Sequence, residues 1–180
     1  GKGARYTEVV PVGEDDNAER ISTGLSSGIM RSLERTLGKE YYPVLETFVE
    51  DIVSASSIIV RGEGEAESYS ALLRESIEKF YPEKKIIWNP QGEEEADLCL
   101  AVSITGKEKL TMDSISRVVF AGGKADVISA NPQSLISKAA TNAIQVSDEL
   151  FFKGDEHILG KFSILAVIEI LTVLMGKDKV

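Results

Sequence analysis

Apolar residues return every four positions near the start of the chain: Ile21, Leu25, Ile29, Leu33 and Leu37, with Met30 alongside. That spacing lines one face of a helix from Ala18 onward. The acidic turn Gly13–Asn17 supplies capping residues before it, and Gly38 stands where a left-handed C-cap is expected. A second helix is predicted from Pro43, whose missing N–H is no loss in a first turn. Its apolar face carries Val44, Leu45, Phe48, Val49, Ile52 and Val53. Ser56–Val60 predicts a short buried strand closed by Gly62 and Gly64. Ala66–Phe80 predicts a third helix, with Tyr69, Leu72, Leu73, Ile77 and Phe80 inward and Pro82 as its stop. Ahead of all these, Tyr6–Val12 is β-prone and reads as an edge strand or an extended arm.

The middle of the chain changes period. Lys85–Trp88, Leu98–Thr105, Ser114–Phe120 and Ala125–Ala130 are strand candidates, with Gly106-Lys107 and Gly122-Gly123-Lys124 as turn signals. That spacing suits an antiparallel meander. Asn131 and Pro132 then open a helix with Leu135, Ile136, Ala139, Ala140, Ala143, Ile144 and Leu150 on its inner face, and Phe151–Asp155 reads as a loop. Ile158–Met175 is a helix apolar almost all the way round, broken only by Gly160, Lys161, Ser163, Glu169 and Thr172. A helix without a polar face must be surrounded. The fold class that follows is α+β: a two-layer domain over 1–180, with a mostly antiparallel central sheet, helices at both ends of the chain and the C-terminal helix buried. A mixed sheet is the alternative, because Ile58–Val60 and Ile86–Trp88 flank a helix as a βαβ unit would.

Composition narrows the class of function. The chain of 180 residues is 43% hydrophobic and 27% charged, ordinary for a globular protein. Its net charge of −9 is interleaved with bases, so no basic stripe for nucleic acid stands out. Phe162–Met175 is too short to span hydrocarbon and holds Glu169, so no membrane span is expected. Cys99, the only cysteine, sits among Leu98, Leu100, Ala101 and Val102 and behaves as a small hydrophobe. A lone inert thiol fits a cytoplasmic location; an exported domain trimmed of its signal peptide is the alternative, since the chain opens Gly1-Lys2-Gly3.

Candidate chemistry is sparse. Thr23-Gly24-Leu25-Ser26-Ser27-Gly28 could offer N–H groups and the Ser26 and Ser27 hydroxyls to an anion. Four of its residues resemble the Gly-Leu-Ser-Ser segment of the galactokinase-like small-molecule kinases. The family's proline-containing strand and other motifs are missing, and membership is not inferred. The unbroken Leu25–Ile29 period makes Gly24 and Gly28 a place for close helix packing instead. In Phe120–Asp126, Gly122 and Gly123 could hold an oxyanion beside Lys124, with Asp126 as an acid/base group; a two-residue hairpin explains the same glycines. Glu63, Glu65 and Glu67 alternate without the spacing of a calcium loop, and a solvated loop near a helix start accounts for them. His157, the sole histidine, reads as a first-turn residue of the last helix, and no nucleophile and base pair up around it. Neither a metal nor a cofactor is called for. The function these features favour is a non-catalytic binding or assembly domain, a homo-oligomer joined through its terminal helices. The alternative is a small-molecule enzyme or phosphate-ligand-binding protein that uses segments 23–28 and 121–126 for a small anionic ligand.

Overall fold

The structure, a computed structural model, describes residues 10–11, 13–146, 149–153, 156–159 and 162–179. In chain order these form β1 (Val10–Pro11), α1 (Ala18–Thr36), α2 (Tyr42–Ser54), β2 (Ser57–Arg61), α3 (Glu67–Phe80), β3 (Lys85–Trp88) and β4 (Leu98–Ser103). There follow α4 (Lys109–Phe120), β5 (Lys124–Ser129), α5 (Leu135–Ala139), β6 (Asn142–Gln145), β7 (Glu149–Lys153), β8 (Glu156–Leu159) and α6 (Phe162–Gly176). Of the predicted N-terminal strand only Val10 and Pro11 lie within the described residues. They pair in parallel with β7, which pairs antiparallel with β8.

Among the described residues the main sheet has five strands in the order β3-β2-β4-β5-β6, and every pairing in it is parallel. The expected α+β domain with a mostly antiparallel sheet is therefore corrected to an α/β fold. The decisive segment is Ser114–Phe120, expected as a strand because it is rich in β-branched residues. Its buried positions Thr111, Ser114, Ile115 and Val118 are spaced three, one and three apart, which is one helical face, and they lie in α4. Two parallel neighbours such as β4 and β5 need a long crossover between them, and α4 is that crossover.

Strands of a parallel sheet covered on both faces read as unbroken apolar runs. All six residues of β4 are buried, as are five of six in β5. Successive side chains go to opposite faces. Leu98, Leu100 and Val102 meet α2, α3 and α6 residues such as Phe48, Leu73 and Leu171, whereas Cys99 and Ala101 meet Ile115 and Val118 of α4 and Ile136 of α5. Helices thus cover both faces, in three layers rather than two.

The C-terminal region departs from expectation twice. The predicted helix over 135–150 stops at Ala139, and β6 follows as the edge strand beside β5. Helix propensity loses there because Ile144 and Val146 are buried in the sheet's larger core. Phe151–Lys153 lies in β7 and His157 in β8, so the last helix starts only at Phe162. Helix α6 packs against α1, α2 and α3, burying Ile164, Val167, Ile168, Leu171 and Met175. Leu165 and Val173 remain exposed on its other side, so it is buried along one face and not surrounded. Helix α1 is capped by Asn17, whose side-chain oxygen accepts the Arg20 N–H at 3.0 Å. Gly38 has φ −62° and starts a short 3-10 turn, so no left-handed cap forms there. No helix among the described residues is long and apolar enough to cross a membrane.

Candidate functional site

The order of the sheet sets one of its ends apart. From β2 the chain moves outward to β3 across the α3 face, then crosses back to β4 and proceeds the other way across the α4 face. The loops after β2 and β4 consequently diverge, leaving a crevice at the carboxyl ends of these strands. Open parallel sheets bind their ligands at such a switch point.

Residues of the loop after β4 build an anion cradle. Strand β4 ends at Ser103, fully buried, and the chain turns through Ile104-Thr105-Gly106 into α4. Gly106 has φ +76°, a conformation that glycine adopts without strain, and a Cβ on it would run into the Ser134 side chain. This turn directs the Thr105 and Gly106 N–H groups to one point. Both donate to the Glu108 carboxylate, at 3.0 and 2.9 Å, as does the Thr105 hydroxyl at 2.8 Å. The Ser103 hydroxyl donates to the same group at 2.9 Å. Successive backbone N–H groups converging on an oxyanion form a nest. A third loop braces it: the Asn131 side-chain amide donates to Thr105 O at 3.0 Å, and Ser134 donates to Asn131 O at 2.8 Å.

The β2 side contributes a second acid. Glu63 accepts hydrogen bonds from the N–H and the hydroxyl of Thr111, in the first turn of α4. Arg61, buried at the end of β2, donates to Ser114 Oγ at 3.1 Å and to Pro90 O. Burial pulls its guanidinium pKa down from the ordinary value, while Glu63, Glu94 and Asp113 push the other way. Arg61 thereby ties β2, α4 and the segment after β3 together behind the crevice. The sequence pattern offered Gly106-Lys107 only as a turn. The signal it carried was positional: hydroxyl residues and a glycine directly between a fully apolar strand and a helix.

The residues singled out from sequence fall elsewhere. Ser26 and Ser27 are exposed in the middle of α1, where Ser26 Oγ donates to Ser22 O at 2.8 Å. Gly28 is buried in the same helix. Gly122 and Gly123 join α4 to β5, so the expected hairpin is a helix-to-strand turn; Gly122 has φ +92°, which favours glycine. They line two shallow hollows, of about 390 and 170 Å³, at the amino end of the sheet and therefore opposite the crevice. Lys124 and Asp126 are brought together with Asp51 and Asn142. Lys124 pairs with Asp51 at 3.0 Å, and the Asn142 amide donates to Asp126 at 2.9 Å and to Asp51 at 3.3 Å. Asp126 is fully buried, and desolvation, then the hydrogen bond with Asp51, pushes its pKa up to about 8. Cys99 is buried and its thiol is pushed up to about 12 by desolvation.

Comparison with known proteins gives no matching family model and no matching curated protein. Solved structures do match. The sugar isomerase domain of the RpiR transcription factor from Sphaerobacter thermophilus superposes with a TM-score of 0.75 at 16% identity, covering 88% of this chain and 91% of that one. The Vibrio vulnificus NanR protein, solved in complex with ManNAc-6P, gives 0.70 at 17% identity over 88% of this chain and 62% of its own. A Methanococcus jannaschii protein, for which a 3-hexulose-6-phosphate isomerase function was inferred, gives 0.65 at 13% identity over 88% and 90%. The fold is shared with these three structures, the first of which is a sugar isomerase domain. This corrects the expectation of a non-catalytic assembly domain as the main reading, and one face of α6 is taken up by α1, α2 and α3. The phosphate-ligand alternative agrees better with the fold.

Proposed function

We propose that the chain binds a phosphorylated sugar in the crevice between residues 62–66 and 103–108, with the phosphoryl group received by the cradle after β4. The observation that carries this reading is the convergence of the Ser103 hydroxyl, the Thr105 N–H and hydroxyl and the Gly106 N–H on one carboxylate, at the switch point of a parallel sheet. An oxyanion already occupies those donors, so their geometry suits an anion. Similarity to the fold of NanR, solved with ManNAc-6P, supports the same ligand class. The rest of the ligand would lie between the Gly62–Ala66 and Thr105–Glu108 loops.

Binding is the part of the reading that the residues support. An isomerase would in addition need a free base at the carbonyl carbon of the sugar, and the crevice acids Glu63 and Glu108 each have an oxygen engaged as a hydrogen-bond acceptor. The test is a thermal-denaturation panel of sugar phosphates against the same sugars without phosphate, at millimolar concentrations. A ligand that binds only the folded state raises the melting temperature by mass action. Phosphorylated members should raise it and their parent sugars should not. A panel in which no phosphate ester differs from its parent sugar would refute the reading.

A further inference from the structure

The cradle is filled by the chain itself. Oε1 of Glu108 receives the Thr105 and Gly106 N–H groups and the Thr105 hydroxyl, and the Ser103 hydroxyl reaches both carboxylate oxygens at 2.9–3.0 Å. These are the donors the proposed phosphoryl group would use. A carboxylate and a phosphoryl group are both oxyanions, so they cannot share one set of donors, and placing them side by side adds like-charge repulsion. Ser103 is fully buried, so its hydroxyl needs an acceptor whichever anion is present. Glu63 is a second crevice acid, but it serves Thr111 and not this cradle.

We propose that Glu108 is the residue that sets the affinity of this crevice for phosphorylated ligands: its carboxylate stands in the place of the phosphoryl group, and the ligand binds only when that side chain swings out. This rests on the sugar-phosphate reading of the crevice. Two consequences follow. Wild-type affinity is reduced by the fraction of time that the cradle is vacant. A variant without the carboxylate presents the same donors empty and preorganised. Glu108 is also the N-cap of α4, without a side-chain hydrogen bond to that helix, so its loss need not unravel the first turn. Serine, a favoured N-cap, keeps a helix start at this position.

The experiment is calorimetric titration of wild type, E108S and E108A with inorganic phosphate, glucose 6-phosphate and glucose, after circular dichroism has confirmed folding. E108A removes every acceptor atom from the side chain and forfeits no capping bond, and it decides the matter should E108S fail to fold. The expected result is a gain in phosphate or glucose 6-phosphate affinity of at least about tenfold over wild type, which corresponds to a cradle vacant less than about a tenth of the time. Glucose should show no gain. Equal, measurable phosphate affinity in wild type and variants would overturn the role of Glu108 while leaving the crevice as a phosphate site. No binding of phosphate or glucose 6-phosphate to any of the three proteins would overturn the site itself, and the role of Glu108 with it.

Discussion

Replacing Asp126 by asparagine should remove a pH dependence of stability that the structure builds into the sheet. Asp126 projects from β5 toward α2, fully buried, with Asp51 and Asn142 as neighbours. Its Oδ1 accepts from Asn142, while its buried Oδ2 meets no donor. A proton on the Asp126 carboxyl resolves this, because the group can then donate to Asp51. Desolvation and that hydrogen bond accordingly hold its pKa up at about 8, Asn142 and Lys124 opposing. The unfolded chain releases the same proton near pH 4, roughly the ordinary aspartate value. Between those limits the folded state binds more protons than the unfolded one, so stability falls as pH rises and levels off once Asp126 ionises. At about 1.4 kcal/mol per pH unit the group could contribute several kcal/mol across that window. An asparagine can accept from Asn142 and donate to Asp51 at every pH. Urea denaturation of wild type and D126N at pH 5, 7 and 9 measures this. We expect a difference within about 1 kcal/mol at pH 5, and a variant more stable than wild type by at least about 2 kcal/mol at pH 9. Parallel profiles, or a variant equally destabilised at both ends, would refute the shared proton.

Other consequences are simpler to check. Ile115 is fully buried between α4 and the sheet whereas Phe120 is 96% exposed, so I115A should cost about 2–4 kcal/mol and F120A under about 0.5 kcal/mol in chemical denaturation; equal costs would contradict the helical face assigned to this segment. Gly106→Ala places a Cβ at positive φ and against Ser134, and should lower stability by about 1–3 kcal/mol and weaken phosphate binding in E108S. Cys99 should resist a disulfide reagent at pH 8 in the native protein and react in urea, since its thiol is buried and its pKa lies at about 12; rapid native labelling would show that the sheet's second face is open.

Much of the element pattern is legible without coordinates. Lys85–Trp88 forms as expected, and Ala18, Pro43 and Ala66 stand within a residue of the starts of α1, α2 and α3. Local propensity and period disagree at Ser114–Phe120: Ile115, Val118 and Val119 are β-branched, and the helical spacing is completed only by the adjoining Thr111. The unbroken apolar run Leu98–Val102 is the better indicator of sheet direction, since an antiparallel sheet with one wet face would alternate. Over 135–145 the alanines favour helix, but Ile144 is worth more in the core and the strand prevails. The crevice was hidden for a different reason. Its donors are ordinary serine, threonine and glycine residues, whose meaning comes from following β4 at the point where the strand order reverses. Glycines cluster instead at Gly24–Gly28, inside a helix, and at Gly122–Lys124, at the opposite end of the sheet.

The most direct test of the crevice is residue-resolved: titrate 15N-labelled protein with a sugar phosphate at millimolar concentration and follow the amide resonances. The account predicts that the largest shifts fall on Thr105, Gly106 and Glu108, with smaller ones on Glu63 and Gly64, and that unphosphorylated sugar leaves the first group still. Shifts concentrated at Gly122–Lys124 or around Ser26 and Ser27, with Thr105 and Gly106 unmoved, would contradict it.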